Sequence, residues 1–228
     1  MRKTSCAAIA ALALFASAIS GLEAQAPATF RLDSVDGLAV AGAKAEVATY
    51  RGRKAVRLVP IPVQDGADST MLAALKTSSF KDGVIEAEIA GFPRQGAPPD
   101  SRGFIGIAFR VQPDASHYEC FYIRPTNGRS DDQLRRNHST QYVSSPDFPW
   151  FRLRKENPGV YESYVDLESG AWTRIKIVVA GTKAQLYVNG ADQPALIVND
   201  LKLGESRGMV ALWADPSTDA YFSSLTIK

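Results

Sequence analysis

The amino-acid sequence predicts an all-β protein in which two antiparallel sheets pack face to face. Short segments of alternating apolar and polar residues recur along the chain, and this period of two is the pattern of a half-buried strand. Glycine, proline, asparagine and aspartate separate the segments at short intervals, as turns between strands require. Helical periodicity is weak: residues 69–79 (STMLAALKTSS) could hold two turns, and an extended conformation fits them equally well.

The alternation is clearest in GVIEAEIAGF (83–92), where Glu86 and Glu88 point to one side and Ile85, Ala87 and Ile89 to the other. Both glutamates therefore belong on a solvated strand face. β-Branched and aromatic residues dominate the later segments, which favours strands there too. The further predicted strands are GFIGIAFRV (103–111), HYECFYIR (117–124), AWTRIKIVVAG (171–181), KAQLYVNG (183–190), GMVALWAD (208–215) and AYFSSLTIK (220–228).

A series of short strands that ends at the C-terminus favours a concanavalin A-like (laminin G-like) β-sandwich jelly roll. Immunoglobulin-like sandwiches are the structural rival, but they are about 100 residues long, roughly half of this chain. A jelly roll has a concave sheet on which polar and aromatic side chains can gather around an elongated ligand.

Residues 1–26 predict a bacterial-type signal peptide, because Arg2 and Lys3 precede a small-residue apolar run and Ala24-Gln25-Ala26 offers a cleavage site. The apolar run is shorter than the roughly 20 residues of a membrane span. The sequence thus predicts export to the periplasm, the cell surface or the medium, with a single jelly-roll domain over residues 27–228.

The chain carries a formal net charge of +2. Removal of Arg2, Lys3 and Glu23 would leave about +1, so no global charge attracts nucleic acid or anionic lipid. Cys120 would be the single remaining cysteine, and we expect it to be a buried apolar residue rather than a reactive or intermolecular thiol.

Four segments, taken in order, carry a resemblance to a known family: GFIGIAFRV, HYECFYI, AWTRIKIVVAGTKAQLYVNG and RGMVALWADPSTDAYFSSLTI. From Phe80 to the end, the chain resembles the 3-keto-disaccharide hydrolase domain family of laminin G-like sandwiches. The resemblance implies a carbohydrate partner, oligo- or polysaccharide, and glycoside cleavage. Arg110 and Glu119 match the family's strand-ending arginine and its glutamate after tyrosine, whereas Phe121 stands where the family commonly has glutamine.

Glu119 is the first catalytic candidate. A glutamate among apolar neighbours is desolvated, which raises its pKa and suits it to proton transfer. Arg110 would then stabilise negative charge on the substrate. The alternative is a structural ion pair of Glu119 with Arg110 or Arg124.

His138 is the second catalytic candidate, since an imidazole titrates near neutrality. If NHSTQYVS (137–144) is a strand, Arg136 and His138 share one face of it. Arg135, Arg136 and Tyr142 would bind the substrate and stabilise charge on its oxygens. The alternative is a loop histidine in a solvated basic patch.

Trp150, flanked by Phe148 and Phe151, is the candidate for stacking on a sugar ring. The alternative is a compact loop, stiffened by prolines, whose aromatic side chains fold back onto the sandwich.

Oxygen atoms that could bind Ca²⁺ or another divalent cation occur close together in the sequence, but without regular spacing. A solvated pair of aspartates explains them equally well. These residues are Asn127, Asp131, Asp132 and Asp147.

Three functions remain open on the sequence alone. The first is a glycoside hydrolase similar to the 3-keto-disaccharide hydrolases, with Glu119 and His138 moving protons. The second is a non-catalytic glycan-binding or surface-interaction module of the laminin G-like type. The third is a polysaccharide lyase.

Overall fold

The computed structural model describes residues 27–61 and 70–228. The predicted signal peptide lies outside the described residues. Within them, the strands form two antiparallel sheets that pack against each other, which confirms the predicted jelly-roll fold class.

The first sheet, sheet A, has the strand order β13-β12-β11-β6-β15-β4-β3, and β1 also pairs with β15. Neighbouring strands run antiparallel throughout. The bounds are β1 Ala28–Phe30, β3 Ala43–Tyr50, β4 Arg53–Pro60, β6 Gly83–Pro93, β11 Thr173–Ala180, β12 Lys183–Val188, β13 Leu196–Val198 and β15 Thr218–Ile227.

The second sheet, sheet B, has the order β10-β9-β8-β7-β14-β5-β2. Its strands are also antiparallel. The bounds are β2 Leu38–Ala41, β5 Met71–Leu75, β7 Ile105–Val111, β8 Tyr118–Ile123, β9 Thr140–Ser145, β10 Glu162–Ser163 and β14 Met209–Ala214.

The main core lies between the two sheets, where the inward-facing residues of both form one apolar cluster. In β6, for example, Ile85, Ala87 and Ile89 point into this core while Glu86 and Glu88 stay on the outer face, paired with Lys228 and Arg53. The chain passes from sheet A to sheet B through residues 199–208, which we call the crossover loop.

A second apolar cluster covers the outer face of sheet B. In β8, Phe121 and Ile123 belong to the core between the sheets, whereas Tyr118, Cys120 and Tyr122 belong to the outer cluster. Cys120 is fully buried and forms no disulfide. Apart from Glu119, this strand is therefore apolar on both faces, a pattern typical of a strand that is covered on both sides.

Two local expectations needed a choice or a correction. Of the ambiguous segment 69–79, Met71–Leu75 forms the strand β5. The expected alternation of Arg136 and His138 on one strand is wrong, because residues 133–136 form a helical turn, α1 (Gln133–Arg136), and β9 begins only at Thr140. Asp132 starts this turn by accepting hydrogen bonds from the backbone N–H groups of Leu134 and Arg135.

The aromatic segment after β9 contains a second helix, α2 (Trp150–Glu156), which carries Arg154 and Lys155 in its last turn, as the helix dipole favours. Leu153 anchors the helix in the core, and Trp150 and Phe151 remain exposed on its first turn. Among the described residues, no helix has the length and apolar character needed to cross a bilayer.

Candidate functional site

The outer face of sheet B carries a row of small side chains at right angles to its strands. The register places these residues side by side on one face, where they leave a shallow trough. From β9 to β2 the row runs Val143, Cys120, Ala108, Ala211, Ala74 and Ala39.

Aromatic rings lie over this trough. Tyr122 and Trp213 both pair with Gly106, one on each side of it, and their rings stack with centroids 4.7 Å apart and an interplanar angle of 19°. Trp213 reaches across the row of small residues, and its Nε1–H donates to the hydroxyl of Tyr118 over 3.3 Å. Gly106 is required here, because a Cβ atom at this position would lie 2.6 Å from Tyr122.

A groove of about 900 Å³ opens above these rings. Its volume lies within the range of small-ligand sites in proteins. Trp150 and Phe151 of α2 stand at its rim, 39% and 59% exposed. Phe104, Tyr118, Tyr122 and Trp213 add aromatic surface, and Thr70, Asp114, Ser116, Ser145 and Asp215 add polar groups.

One end of the groove is supported by a buried arginine. Arg124 lies against the rings of Phe104, Tyr122 and Trp150, at 5.1, 5.3 and 5.9 Å from their centroids. Its guanidinium donates to the hydroxyl of Tyr122, to Oε1 of Gln141 and to the carbonyl of His138. These contacts satisfy the buried charge and hold the aromatic rings in place.

Three cationic or titratable groups, one of which is Arg124, surround a single carboxylate. Glu162 of β10 is buried, and its Oε2 lies 2.7 Å from Nη2 of Arg154, 2.8 Å from Nδ1 of His138 and 3.6 Å from Nη1 of Arg124. Arg154 also stacks on Trp150, 4.8 Å from the ring centroid. We call Arg124, His138, Arg154 and Glu162 the charged end of the groove.

The pKa of His138 is lowered from its ordinary value. Burial is the main cause, because it disfavours the imidazolium; Glu162 opposes this effect, and the charges of Arg154 and Arg124 add to it. His138 is therefore neutral at neutral pH. Its side chain keeps 18% of its surface exposed, so solvent can reach it.

Glu119 does not lie in the groove. It is fully buried between the sheets, where its Oε1 accepts from the backbone N–H of Leu203 over 2.7 Å and its Oε2 accepts from the hydroxyl of Tyr142. Burial raises the pKa of Glu119, against the effect of these hydrogen bonds and of the nearby charge of Arg110. The expected desolvation is present, but the groove does not give access to the carboxyl group.

Arg110 is also fully buried and makes structural contacts. Its guanidinium donates to the carbonyls of Lys81, Gly181 and Gly204 and to the carboxylate of Asp82. The register between β7 and β14 shifts at this point and Arg110 adopts a left-handed φ of 55°, which removes it from the alternation of the strand.

Arg110, Glu119 and Tyr142 together hold the crossover loop. Arg110 binds the carbonyl of Gly204, Glu119 binds the amide of Leu203, and the hydroxyl of Tyr142 accepts from the amide of Lys202 over 2.8 Å. We call these three side chains the crossover clamp. Their polar groups satisfy backbone groups that would otherwise be buried without partners.

The sequence-predicted residues therefore separate into two groups. Arg110 and Glu119 do not lie beside His138: Glu162, the partner of His138, pairs with Gln141 and faces outward, whereas Glu119 faces inward. Trp150 does line the groove.

The two arginines of α1 have different surroundings. Arg135 donates to Oδ1 of Asn127 and Oγ1 of Thr126. Arg136 stacks on Tyr164, 5.1 Å from the ring centroid, and donates to its hydroxyl.

Sequence reasoning missed Glu162, Arg154 and Trp213. Glu162 lies in a two-residue strand 24 positions after His138, so spacing gave no signal. Trp213 was visible as a tryptophan inside the predicted strand 208–215, and this was the available signal.

Two of the four candidate cation ligands serve other purposes. Asp132 caps α1, and the side chain of Asn127 binds Arg135 and the carbonyl of His138. Within residues 27–61 and 70–228, no three His, Cys, Asp or Glu side chains come close enough to hold a metal ion together.

Comparison with known proteins places the chain by its fold. No protein-family model matches the sequence, and no curated protein matches it. Among solved structures, the carbohydrate-binding module CBM66 from Bacillus subtilis is similar, with 15% identity over 84% of this chain and 96% of that one and a TM-score of 0.55. A Bacillus subtilis protein of unknown function with a galectin-like fold has 12% identity, coverage of 88% and 94% and a TM-score of 0.57. A native glycosidic hydrolase has 11% identity, coverage of 89% and 95% and a TM-score of 0.52.

Proposed function

We propose that the groove on the outer face of sheet B binds carbohydrate. The observation that carries this proposal is the combination of aromatic rings with polar groups around one open groove of about 900 Å³. Aromatic faces offer apolar area to the C–H surfaces of a sugar, and the surrounding hydroxyl and carboxylate groups can bind its hydroxyls. The similar folds of a carbohydrate-binding module and a galectin-like protein support this function.

Binding without catalysis fits the charged groups of the groove. The ordinary glycosidase mechanism needs two carboxyl groups about 5 to 10 Å apart, one of them free to give a proton. Asp114 and Asp215 line the groove but are engaged in turns, where they bind Ser116 and Ser217. Glu162 is held by Arg154 and His138.

The test is binding to an array of neutral and acidic oligosaccharides, followed by calorimetry with the best ligand. Because Trp150 is the exposed tryptophan at the rim, Trp150→Ala should weaken binding at least about tenfold. Phe151→Ala should have a smaller effect of the same sign. Each variant is checked by its melting temperature, so that lost binding is not confused with lost folding.

Trp172→Phe is the matched control. This tryptophan lies away from the groove, packed against Tyr50 and Arg53 at the end of sheet A. It should leave the affinity unchanged. The proposal is contradicted if no glycan binds, or if the best glycan binds Trp150→Ala and the native protein equally well.

A second candidate function, glycoside cleavage, is favoured by the pair of His138 and Glu162. A neutral imidazole held 2.8 Å from a carboxylate can take a proton through its other nitrogen, and the carboxylate stabilises the resulting charge. Arg154, beside this pair, can stabilise negative charge that develops on a substrate oxygen. This candidate retains the resemblance to the 3-keto-disaccharide hydrolases and assigns the chemistry to His138 with Glu162.

The purified protein should be incubated with glycosides, 3-keto-glycosides and acidic polysaccharides. New reducing ends or free 3-keto sugar, lost in His138→Gln and retained in His117→Gln, would support cleavage, because His117 is an exposed turn residue bound to Ser116. An unsaturated product would indicate a lyase. Glycan binding without any product, unchanged in His138→Gln, contradicts this second function.

A further inference from the structure

Two arginines near the charged end of the groove form a separate cluster, built around Thr126. Arg135 donates from Nε to Oδ1 of Asn127 and from Nη2 to Oγ1 of Thr126, each over 3.0 Å. The backbone N–H and the hydroxyl of Thr126 both lie 3.4 Å from the carbonyl of Arg102. Thr126 therefore links the side chain of Arg135 to the backbone of Arg102, and both arginines are half-buried.

Within the part of the chain that the structure describes, neither guanidinium lies within salt-bridge distance of a carboxylate. The ion pairs of this region join Arg124 and Arg154 to Glu162, and Arg129 to Asp166 and Glu168, but include no carboxylate for Arg102 or Arg135. Arg102 makes a single weak contact, with the carbonyl of Ser101 over 3.4 Å. Most of the ten N–H donors of the two side chains thus stay free, since each guanidinium has five.

The electrostatics of Arg102 agree with this geometry. Its pKa is lowered from the ordinary value, first by burial and then by the charge of Arg135. Asp100 opposes the effect, and Arg124 adds to it. Like charges that lie close together repel each other, and a bound anion reduces that repulsion.

The cluster lies next to the groove. Arg102 precedes Phe104 by two residues, and Phe104 lines the groove and contacts both Tyr122 and Arg124. A glycan that leaves the groove over Phe104 would pass the two guanidinium groups. A guanidinium group can donate two parallel hydrogen bonds to the oxygens of a carboxylate or a sulfate.

We propose that Arg102 and Arg135 form a subsite for an anionic substituent, a carboxylate or a sulfate ester, of the glycan bound in the groove. This subsite rests on the proposed function, and it assigns the ligand to the acidic saccharides. Arg102 and Arg135 are binding residues in it, and Thr126 and Asn127 position Arg135.

The subsite is tested by affinity electrophoresis and calorimetry with paired polymers: a polyuronate and its carboxyl-reduced form, and a sulfated galactan and its desulfated form. The native protein should bind at least one acidic polymer about tenfold more tightly than its neutral partner, and added salt should reduce this preference. The pair that shows the preference identifies the anionic group.

Arg102→Gln is the decisive variant, because its only described side-chain hydrogen bond is the weak one to Ser101 and its loss should leave folding intact. It should lower the preference for the acidic polymer by about threefold to tenfold and leave neutral-polymer binding unchanged. Arg135→Gln should act in the same direction, and the double variant should abolish the preference. Arg129→Gln is the control, since Arg129 is exposed and already paired with Asp166 and Glu168.

Equal binding of both polymers in every pair overturns the subsite, as does an equal loss in Arg129→Gln. If binding depends on Trp150 and shows no preference for charge, the anion subsite fails and the groove's carbohydrate function stands. If no polymer or oligosaccharide binds, both proposals fail.

Discussion

The groove and the crossover clamp combine similar side chains with opposite consequences. Both join aromatic rings to charged groups, and both draw residues from β8 and β9. At the rim of the groove and at its charged end, the exposed Trp150 and the partly accessible His138 leave surface for a ligand. In the clamp, Arg110, Glu119 and Tyr142 are fully buried and bind backbone groups of the same chain. A charged residue in a strand indicates a binding or catalytic function only when its partners within the protein leave part of its side chain accessible to a ligand.

Replacing Arg110 should produce the largest effect. In Arg110→Ala, the carbonyls of Lys81, Gly181 and Gly204 lose the hydrogen bonds that the guanidinium of Arg110 donates. We expect the free energy of unfolding to fall by about 3–5 kcal/mol. Urea denaturation measures this, and the exposed Arg129→Ala should change it by no more than about 0.5 kcal/mol. A loss below about 1 kcal/mol for Arg110→Ala would remove the clamp's structural role.

Tyr142→Phe tests whether the clamp acts independently of the groove, with a smaller expected loss of stability than Arg110→Ala. The hydroxyl of Tyr142 donates to Glu119 and accepts from Lys202, so its removal leaves two buried groups with fewer partners. We expect a loss of about 1–3 kcal/mol in the free energy of unfolding. Affinity for the groove's best glycan should not change. Weaker glycan binding in a fully folded Tyr142→Phe protein would show that the two regions are coupled.

Glu119 should give the stability of the fold a pH dependence. Its folded-state pKa is raised, so its contribution is fully present below the unfolded-state value of about 4.3 and is lost as pH rises through the folded-state pKa. Glu119→Gln should therefore gain stability relative to the native protein as pH increases from about 4 toward neutrality. Unfolding free energies of both proteins over this range test the sign. A difference that is constant with pH, or that changes in the opposite direction, contradicts it.

Cys120, in the row of small residues beneath the groove, should show the smallest effect. Burial raises the pKa of its thiol, so it should not react with a thiol reagent at pH 8 in the native state and should react fully in urea. The experiment uses Cys6→Ser, which leaves Cys120 as the only cysteine. Rapid labelling of the folded protein would show that the floor is open to solvent.

The fold could be predicted because alternation and turn residues are local signals. The site could be predicted only in part. Both faces of β8 are apolar apart from Glu119, so the alternation could not show which side of this strand faces the opposite sheet, and Glu119 was placed in the site. Arg110 was misplaced because a β-bulge interrupts the alternation. Trp150 was found because the sequence shows a group of aromatic residues among prolines.

The short helices were harder to predict. Residues 133–136 form one turn whose start depends on a single capping carboxylate, Asp132. The pairing of His138 with Glu162 depends on the two-residue strand β10, which has too few positions to show any period. Such contacts depend on tertiary packing and have no signature in the local sequence.

Gly106 limits how the specificity of this surface can change. Any side chain here would collide with Tyr122 and with the backbone of Phe121, so the stacked pair of Tyr122 and Trp213 cannot be altered from below. New ligand preferences would have to arise at the rim, on α2 and the neighbouring loops, where Trp150 and Phe151 already stand free of the core. We expect related chains with different ligands to share glycine at this position and to diverge in α2, which makes α2 the natural place to engineer new specificity.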